Sequence, residues 1–349
     1  METSELHSRL FEGLAIPALP LALDAERRWS RIHQRAVIRY YLDAGVGGIA
    51  VGVHSTQFEI REPQHALFEP LLEFASREMD AWPREDDRPV LKIAGLCGST
   101  EQAVAEAERA LEHGYQAGLL SLAAHKEASI DQMVDHCAEI AAVMPIIGFY
   151  LQPAVGGRVL PYTFWRRFAE INNVVAVKMA PFNRYQTFDV VRAVIDSGRE
   201  DIALYTGNDD NIAVDLLTPW EINGQRRFIV GGLLGQFGVW TKQAVELLEA
   251  IKADREEQHI PIHWLSRNAA WTDANAAVFD AANGFKGVLC GIHEVLRRQG
   301  LLATTHCLNP KETLSPGQAK AIDRVSAAYP WLTDDAFVAA NRERWFEDG

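Results

Sequence analysis

The sequence predicts an α/β chain folded as a (β/α)8 TIM barrel with a C-terminal helical extension. Eight short apolar, β-branched runs recur along its first two thirds, the segments between them carry helical periodicity, and the strand signal stops near residue 255. The runs occupy residues 16–23, 48–53, 90–96, 117–122, 146–151, 174–179, 202–207 and 228–234. From the second onward their starts step by 42, 27, 29, 28, 28 and 26 residues, which leaves room for one helix and two turns between successive strands and so favours parallel pairing. Eight tilted strands close around a side-chain-filled interior; an open, doubly wound sheet is the alternative that the same alternation permits.

The intervening segments justify the helices. Ile130, Met133, Val134, Cys137, Ile140 and Ala141 fall on one helical face. Ser99 with Gln102, and Ser129 with Gln132, have the spacing of capping boxes, and Gly114 suits a helix-ending position of positive φ. Beyond the eighth run the chain reads as helices at 267–283, 286–299, 316–328 and about 334–345, with Ser315 and Pro316 marking one start. The expected organisation is a barrel domain over 1–254 and a helical domain over 255–349.

Composition narrows the function. Of 349 residues, 48% are hydrophobic and 23% charged, enough for a large core, and the net charge of −13 would repel nucleic acid and anionic lipid. No apolar stretch approaches the roughly 20 residues that span a bilayer, and the opening residues carry neither a basic nor an apolar signal segment. Cys97, Cys137, Cys290 and Cys307 show no CxxC pairing, which fits reduced thiols and a cytoplasmic protein rather than a disulfide framework or a structural zinc site.

In a barrel the reacting groups sit at the C-terminal ends of strands. The sixth run, Val174 to Val177, leads into Lys178, an amine at the end of an apolar strand where burial penalises the charged form. A free lysine is only about one part in a thousand neutral near neutral pH, whereas a desolvated amine can attack a carbonyl and form a Schiff base. The alternative is a lysine whose stem packs on the rim while its ammonium reaches water. The fifth run ends in Phe149, Tyr150, Leu151, Gln152 and Pro153, and a phenol near Lys178 can relay the protons that carbinolamine formation requires. Otherwise Tyr150 is a packed core residue with a satisfied hydroxyl.

The segments GFYLQP, NNVVAVK, LYTGNDD and GGLLGQFGVW, with AANGFKGVLCGIHEVLRRQGLL in the tail, resemble the dihydrodipicolinate synthase and N-acetylneuraminate lyase superfamily. The resemblance spans most of the barrel and extends into the tail. It implies a Schiff-base lysine at Lys178 and a proton-shuttling tyrosine at Tyr150, 28 residues apart without a gap. It also implies a lyase or aldolase acting on pyruvate or another 2-oxo acid, without metal or organic cofactor, assembled as a dimer or tetramer.

Departures from the family pattern accompany the matches. The carboxylate-binding loop after the second strand corresponds to Gly52, Val53, His54, Ser55 and Thr56, so both of its threonines are replaced. Ser55 or Thr56 can still donate to a carboxylate, and His54 can take part in a proton relay. A tyrosine expected after the fourth strand is absent from Leu122, Ala123, Ala124 and His125, and the synthase's arginine falls on Val155, with Arg158 three residues on as a candidate carboxylate clamp or a solvated loop charge. These losses argue against the lysine-biosynthetic reaction. Gly207 matches a glycine whose missing side chain lets backbone approach the imine. Asn208, Asp209 and Asp210 read first as capping residues, and Gly231, Gly232, Gly235 and Gly238 as an anion nest or tight turns. Two rival functions remain: a non-catalytic 2-oxo-acid-binding member of the same fold, and a metal-dependent barrel aldolase, for which His54, His113, His125 and His136 lack ligand spacing on one element.

Overall fold

The computed structural model describes residues 3–84, 88–257 and 259–347. All eight apolar runs form strands, and these pair in parallel around a barrel. In chain order the strands are β1 (Ala15–Pro17), β2 (Gly48–Val51), β3 (Leu91–Leu96), β4 (Ala117–Leu120), β5 (Ile146–Leu151), β6 (Val174–Ala180), β7 (Ala203–Thr206), β8 (Trp220–Ile222), β9 (Gln225–Arg227) and β10 (Gly231–Leu234). The barrel sheet runs β1-β10-β7-β6-β5-β4-β3-β2. It is brought round to closure by a parallel bridge between Ala18 and Ala50, with the Leu19 amide donating to the Ala50 carbonyl at 2.8 Å. Two packed layers follow from the period of two along each strand. One buried set, including Ile93, Leu119, Ile147, Phe149, Ala176, Tyr205 and Leu233, fills the barrel; the alternate set, including Val51, Leu120, Tyr150, Val177 and Leu204, faces the helices.

Several local expectations needed correction. β8 and β9 form an antiparallel hairpin in what the spacing alone reads as a helical connection, shortening that helix to Ile212–Leu217. Its turn is Asn223-Gly224, both at positive φ (52° and 77°), a mirror-image turn matched to the twist of a two-stranded ribbon. The segment before β1 is a helix, Thr3–Phe11, whose Leu6 and Leu10, with Leu14, enter the barrel's interior cluster near the strand starts. There Tyr205 Oη donates to the Leu10 carbonyl (2.6 Å) and accepts from the Leu14 amide (3.2 Å). Ser129 and Gln132 make both bonds of a capping box, whereas Ser99 accepts from the Gln102 amide but Gln102 turns its side chain to Glu106. Gly114 has φ of 78° at a helix end. Ser315 and Pro316 do not start a helix: it begins at Gln318, behind Gly317, and the Ser315 hydroxyl donates to Asp280.

The tail packs against the barrel's outer helices. The helix Asp335–Phe346 lies on the helix Arg31–Ala44, where Tyr40 Oη donates to Asp334 (2.7 Å) and the Trp345 indole to Asp43. Trp264, Trp271, Leu296, Ile322 and Trp345 belong to the same buried cluster as the outward-facing strand residues. Other tail residues, between Phe279 and Ile292, reach over the C-terminal mouth of the barrel.

Candidate functional site

Lys178 sits on β6 with Ala176 and Ala180 turned toward the barrel interior, and the residue is 7% exposed. Its Nζ lies 4.3 Å from the centre of the Phe149 ring, the residue directly across from it on β5. No hydrogen bond or ion pair within 4.0 Å engages Nζ among the described residues. Burial lowers its pKa to about 8, opposed by attraction to the Asp209 carboxylate. Asp209, just past β7, is shifted the other way: burial raises it to about 7, against the pull of the Gln236 amide (3.0 Å) and of Lys178. The cleft these residues line therefore holds an amine and a carboxyl that burial pushes toward their uncharged forms, while each draws the other back toward charge.

His54 and Ser55 line the same cleft, delivered by the loop after β2. The half-buried His54 imidazole is held neutral, its pKa lowered to about 4 by burial and by the neighbouring Lys178. Ser55 Oγ has no hydrogen-bond partner among the described residues. Gly207 borders the cleft too: a Cβ there would stand 2.8 Å from Lys178 Cε and 2.8 Å from Ala180 Cβ, so a side chain at this position would displace the amine. Gln152, at the end of β5, adds a further polar group. Five expected positions thus divide: Lys178, His54, Ser55 and Gly207 converge on one cleft, and Thr56 supports it from behind. Thr56 Oγ1 donates to the Leu19 carbonyl (2.7 Å) and accepts from the Gly52 and Val53 amides, so its hydroxyl is spent on holding the loop.

Two expected residues lie elsewhere. Tyr150 is on the helix-facing side of β5, one residue out of phase with Phe149; its hydroxyl accepts from the Leu160 amide (3.1 Å) and its ring packs on Trp165 at 5.5 Å. It is not among the residues that line the cleft with Lys178. Arg158 donates to the His125 and Ala128 carbonyls (2.6 and 3.0 Å), fixing the loop after β4 rather than clamping a carboxylate in the cleft. Asp209 is the reverse case, since a residue expected to cap a helix faces Lys178 instead. The helix begins only at Ile212, and Asp209 is turned inward by the Gln236 amide on its carboxylate and by Asn275 Nδ2 on its carbonyl (2.7 Å).

The glycines after residue 230 answer to packing. None of Gly231, Gly232, Gly235 and Gly238 has positive φ, and a Cβ at Gly231 would fall 2.6 Å from the Leu14 backbone. Among the described residues no three His, Cys, Asp or Glu side chains gather in a group that could hold a metal ion, and His125 and His136 form a ring pair (4.0 Å) outside the cleft. Also among the described residues, no helix is long and apolar enough to cross a membrane.

Known proteins share this architecture. A dihydrodipicolinate synthase from Oceanobacillus iheyensis superposes with a TM-score of 0.72 at 16% identity, covering 94% of this chain and 99% of that one. An N-acetylneuraminate lyase from Fusobacterium nucleatum gives 0.70 at 16%, covering 91% and 99%. YagE, a prophage protein of Escherichia coli K12 solved in complex with pyruvate, gives 0.69 at 16%, covering 91% and 97%. At these identities the likeness speaks for the fold. Among curated proteins none matches the sequence significantly. The sequence pattern of the dihydrodipicolinate synthetase family matches residues 14–219, more than half of the chain and seven of its eight barrel strands, and the protein accordingly belongs to that family of TIM-barrel lyases and aldolases.

Proposed function

We propose that the protein is a lysine-dependent lyase or aldolase acting on pyruvate or another 2-oxo acid. Lys178 carries the reading: an amine buried at the C-terminal end of a barrel strand, facing a cleft, without an ion pair among the described residues, and shifted toward neutrality by burial. The Lys178 nitrogen attacks the C2 ketone, water is lost, and the imine draws electrons from the neighbouring bond as it is made or broken. The Ser55 hydroxyl, with the loop that Thr56 braces, receives the carboxylate. Proton transfer falls to Asp209 and His54, the titratable groups that share the cleft with the amine. Gly207 leaves the space in which the imine forms. Retro-aldol cleavage is the favoured direction, and the expected assembly is a homo-oligomer, dimer or tetramer.

Incubation with pyruvate and borohydride should add the mass of the reduced adduct to the Lys178 peptide, and Lys178→Ala should abolish both adduct and turnover. Absence of the adduct from the unaltered protein, under conditions that trap other members of the family, would overturn the reading. The outward-facing Tyr150 favours one competitor, a 2-oxo-acid-binding protein without turnover; calorimetric binding of pyruvate with no adduct is its signature.

A further inference from the structure

Resting on the Schiff-base reading, we infer that the substrate's far end is an aromatic ring: the protein joins or separates a 2-oxo acid and an aryl aldehyde. The cleft is chemically divided. Its polar side chains are Lys178, Asp209, His54, Ser55 and Gln152, and His54 and Asp209 are near enough to Lys178 to act on its charge, which marks the amine's end as the place for a 2-oxo acid. Phe149 lies beside the amine, and the rest of the lining is apolar and rich in rings: Val155 after β5, Phe182 after β6, and Phe279, Phe285 and Ile292 from the tail. Among the described residues no arginine lines it, and Lys178 is its one cation. A second carboxylate would have no partner there, and a chain of several hydroxyls would leave most of them unpaired on a hydrocarbon surface.

Two of these rings are held in place at a backbone cost. Phe182 and Phe285 have φ of 50° and 66°, left-handed conformations that bulky side chains rarely adopt. Each is fixed by its amide. Phe182 donates to Asn208 Oδ1 (3.0 Å), and Asn208 is itself tied to Thr187 and Asp215; Phe285 donates to the Asp280 carbonyl (3.0 Å). Their rings meet edge to face at 5.6 Å, one from the barrel and one from the tail, and both line the cleft. A neighbouring cleft shares Asp209, Phe182, Phe279 and Phe285, so the aromatic surface continues past the first cleft. Rings arranged this way match a flat aryl group, which stacks or packs edge-on against them.

In the cleavage direction, the Lys178 amine condenses with the C2 ketone of a 4-aryl-4-hydroxy-2-oxobutanoate and expels water. The C3–C4 bond then breaks, its electron pair passing into an enamine while the C4 hydroxyl gives its proton to a base in the cleft, and the aryl aldehyde departs. C3 regains a proton, and water hydrolyses the imine to pyruvate and free amine. The balance requires only the water first released.

The test uses the purified full chain in two arms. The first is reductive trapping with pyruvate alone, read by mass at Lys178. The second supplies pyruvate with benzaldehyde, hexanal, erythrose or aspartate 4-semialdehyde at equal concentration, and quantifies the aldol product by liquid chromatography and mass spectrometry. The inference expects trapping, and a kcat/KM for benzaldehyde at least tenfold above each other aldehyde. Phe285→Ala should reduce that value at least tenfold more than it slows trapping, and Phe285→Leu should reduce it less. Trapping with preferred turnover of hexanal, erythrose or the semialdehyde, or with no aldehyde turned over, overturns the aryl assignment and leaves the Schiff base standing. Failure of trapping itself overturns both.

Discussion

The charge of Lys178 is set by two opposed influences, and the balance can be measured. Burial disfavours the ammonium, whereas the Asp209 carboxylate favours it, and burial prevails, leaving the group near 8 instead of above 10. A nucleophilic amine must be unprotonated, so adduct formation should climb with pH and level off just above pH 8, where an ordinary lysine would still be gaining. Asp209→Asn removes the opposing attraction without restoring solvent. The inflection should then move below pH 8, by roughly one unit if the lost Coulomb interaction is worth about 1.4 kcal/mol. Trapping rates across pH 5.5–10.5 for both proteins decide it, and an inflection that stays put or rises would mean that the carboxylate does not act on the amine. These residues show where sequence reading reaches its limit. Lys178 was legible because a cation ending an apolar strand is conspicuous by itself. Asp209 was not, since its role depends on the Gln236 and Asn275 contacts that turn it inward, and those partners lie 27 and 66 residues away.

At the scale of single elements, what the sequence reveals is the existence of strands, more than which way their side chains point. A barrel strand is buried on both faces, so its residues are apolar throughout and the polar–apolar alternation that would fix the inward face is missing. β5 is buried at all six positions, and its pairing with β6 shifts register at Ile146 and Ile147. A phase error of one residue moves every side chain to the other layer, and that separates Tyr150 packed on Trp165 from Phe149 beside Lys178. The Asn-Gly hairpin differs, because its signal was present at 223–224 and was masked by an even spacing of runs. The Tyr150 placement has a direct consequence. Tyr150→Phe should leave the rate of pyruvate trapping within about twofold of the unaltered protein. It should cost about 1–2 kcal/mol of stability, the hydroxyl being the acceptor of the buried Leu160 amide. Trapping rates and urea midpoints measured on the same preparation separate the two effects; a loss of trapping by orders of magnitude with unchanged stability would place the phenol in the chemistry.

For the whole molecule, the question is whether the helical tail is a domain in its own right, as a boundary at 254/255 would make it. A domain owns its core. Here the tail's Trp264, Trp271, Leu296 and Trp345 share one buried cluster with Tyr40, Val177 and Leu204 of the barrel, and the tail also supplies Phe279 and Phe285 to the cleft. Trp345 is the place to probe this. It is fully buried, packed 5.3 Å from the Tyr40 ring and 5.7 Å from Phe337, with its indole donating to Asp43 on the helix Arg31–Ala44. Truncating such a side chain costs about 3–5 kcal/mol through lost burial and the cavity left behind; Asp43 loses the indole but keeps the Trp82 and Arg344 side chains as donors. If the tail shares the barrel's cooperativity, Trp345→Ala should shift one unfolding transition as a whole. Circular dichroism, reporting on all the helices, and loss of Lys178 trapping, reporting on the barrel mouth, should then fall together at a lower denaturant concentration. If the tail were independent, the variant would show a separate early step in circular dichroism, and trapping would persist to the midpoint of the unaltered barrel. The shared core favours the single transition, because the variant's cavity opens between a tail helix and a barrel helix and weakens both sides of the contact at once.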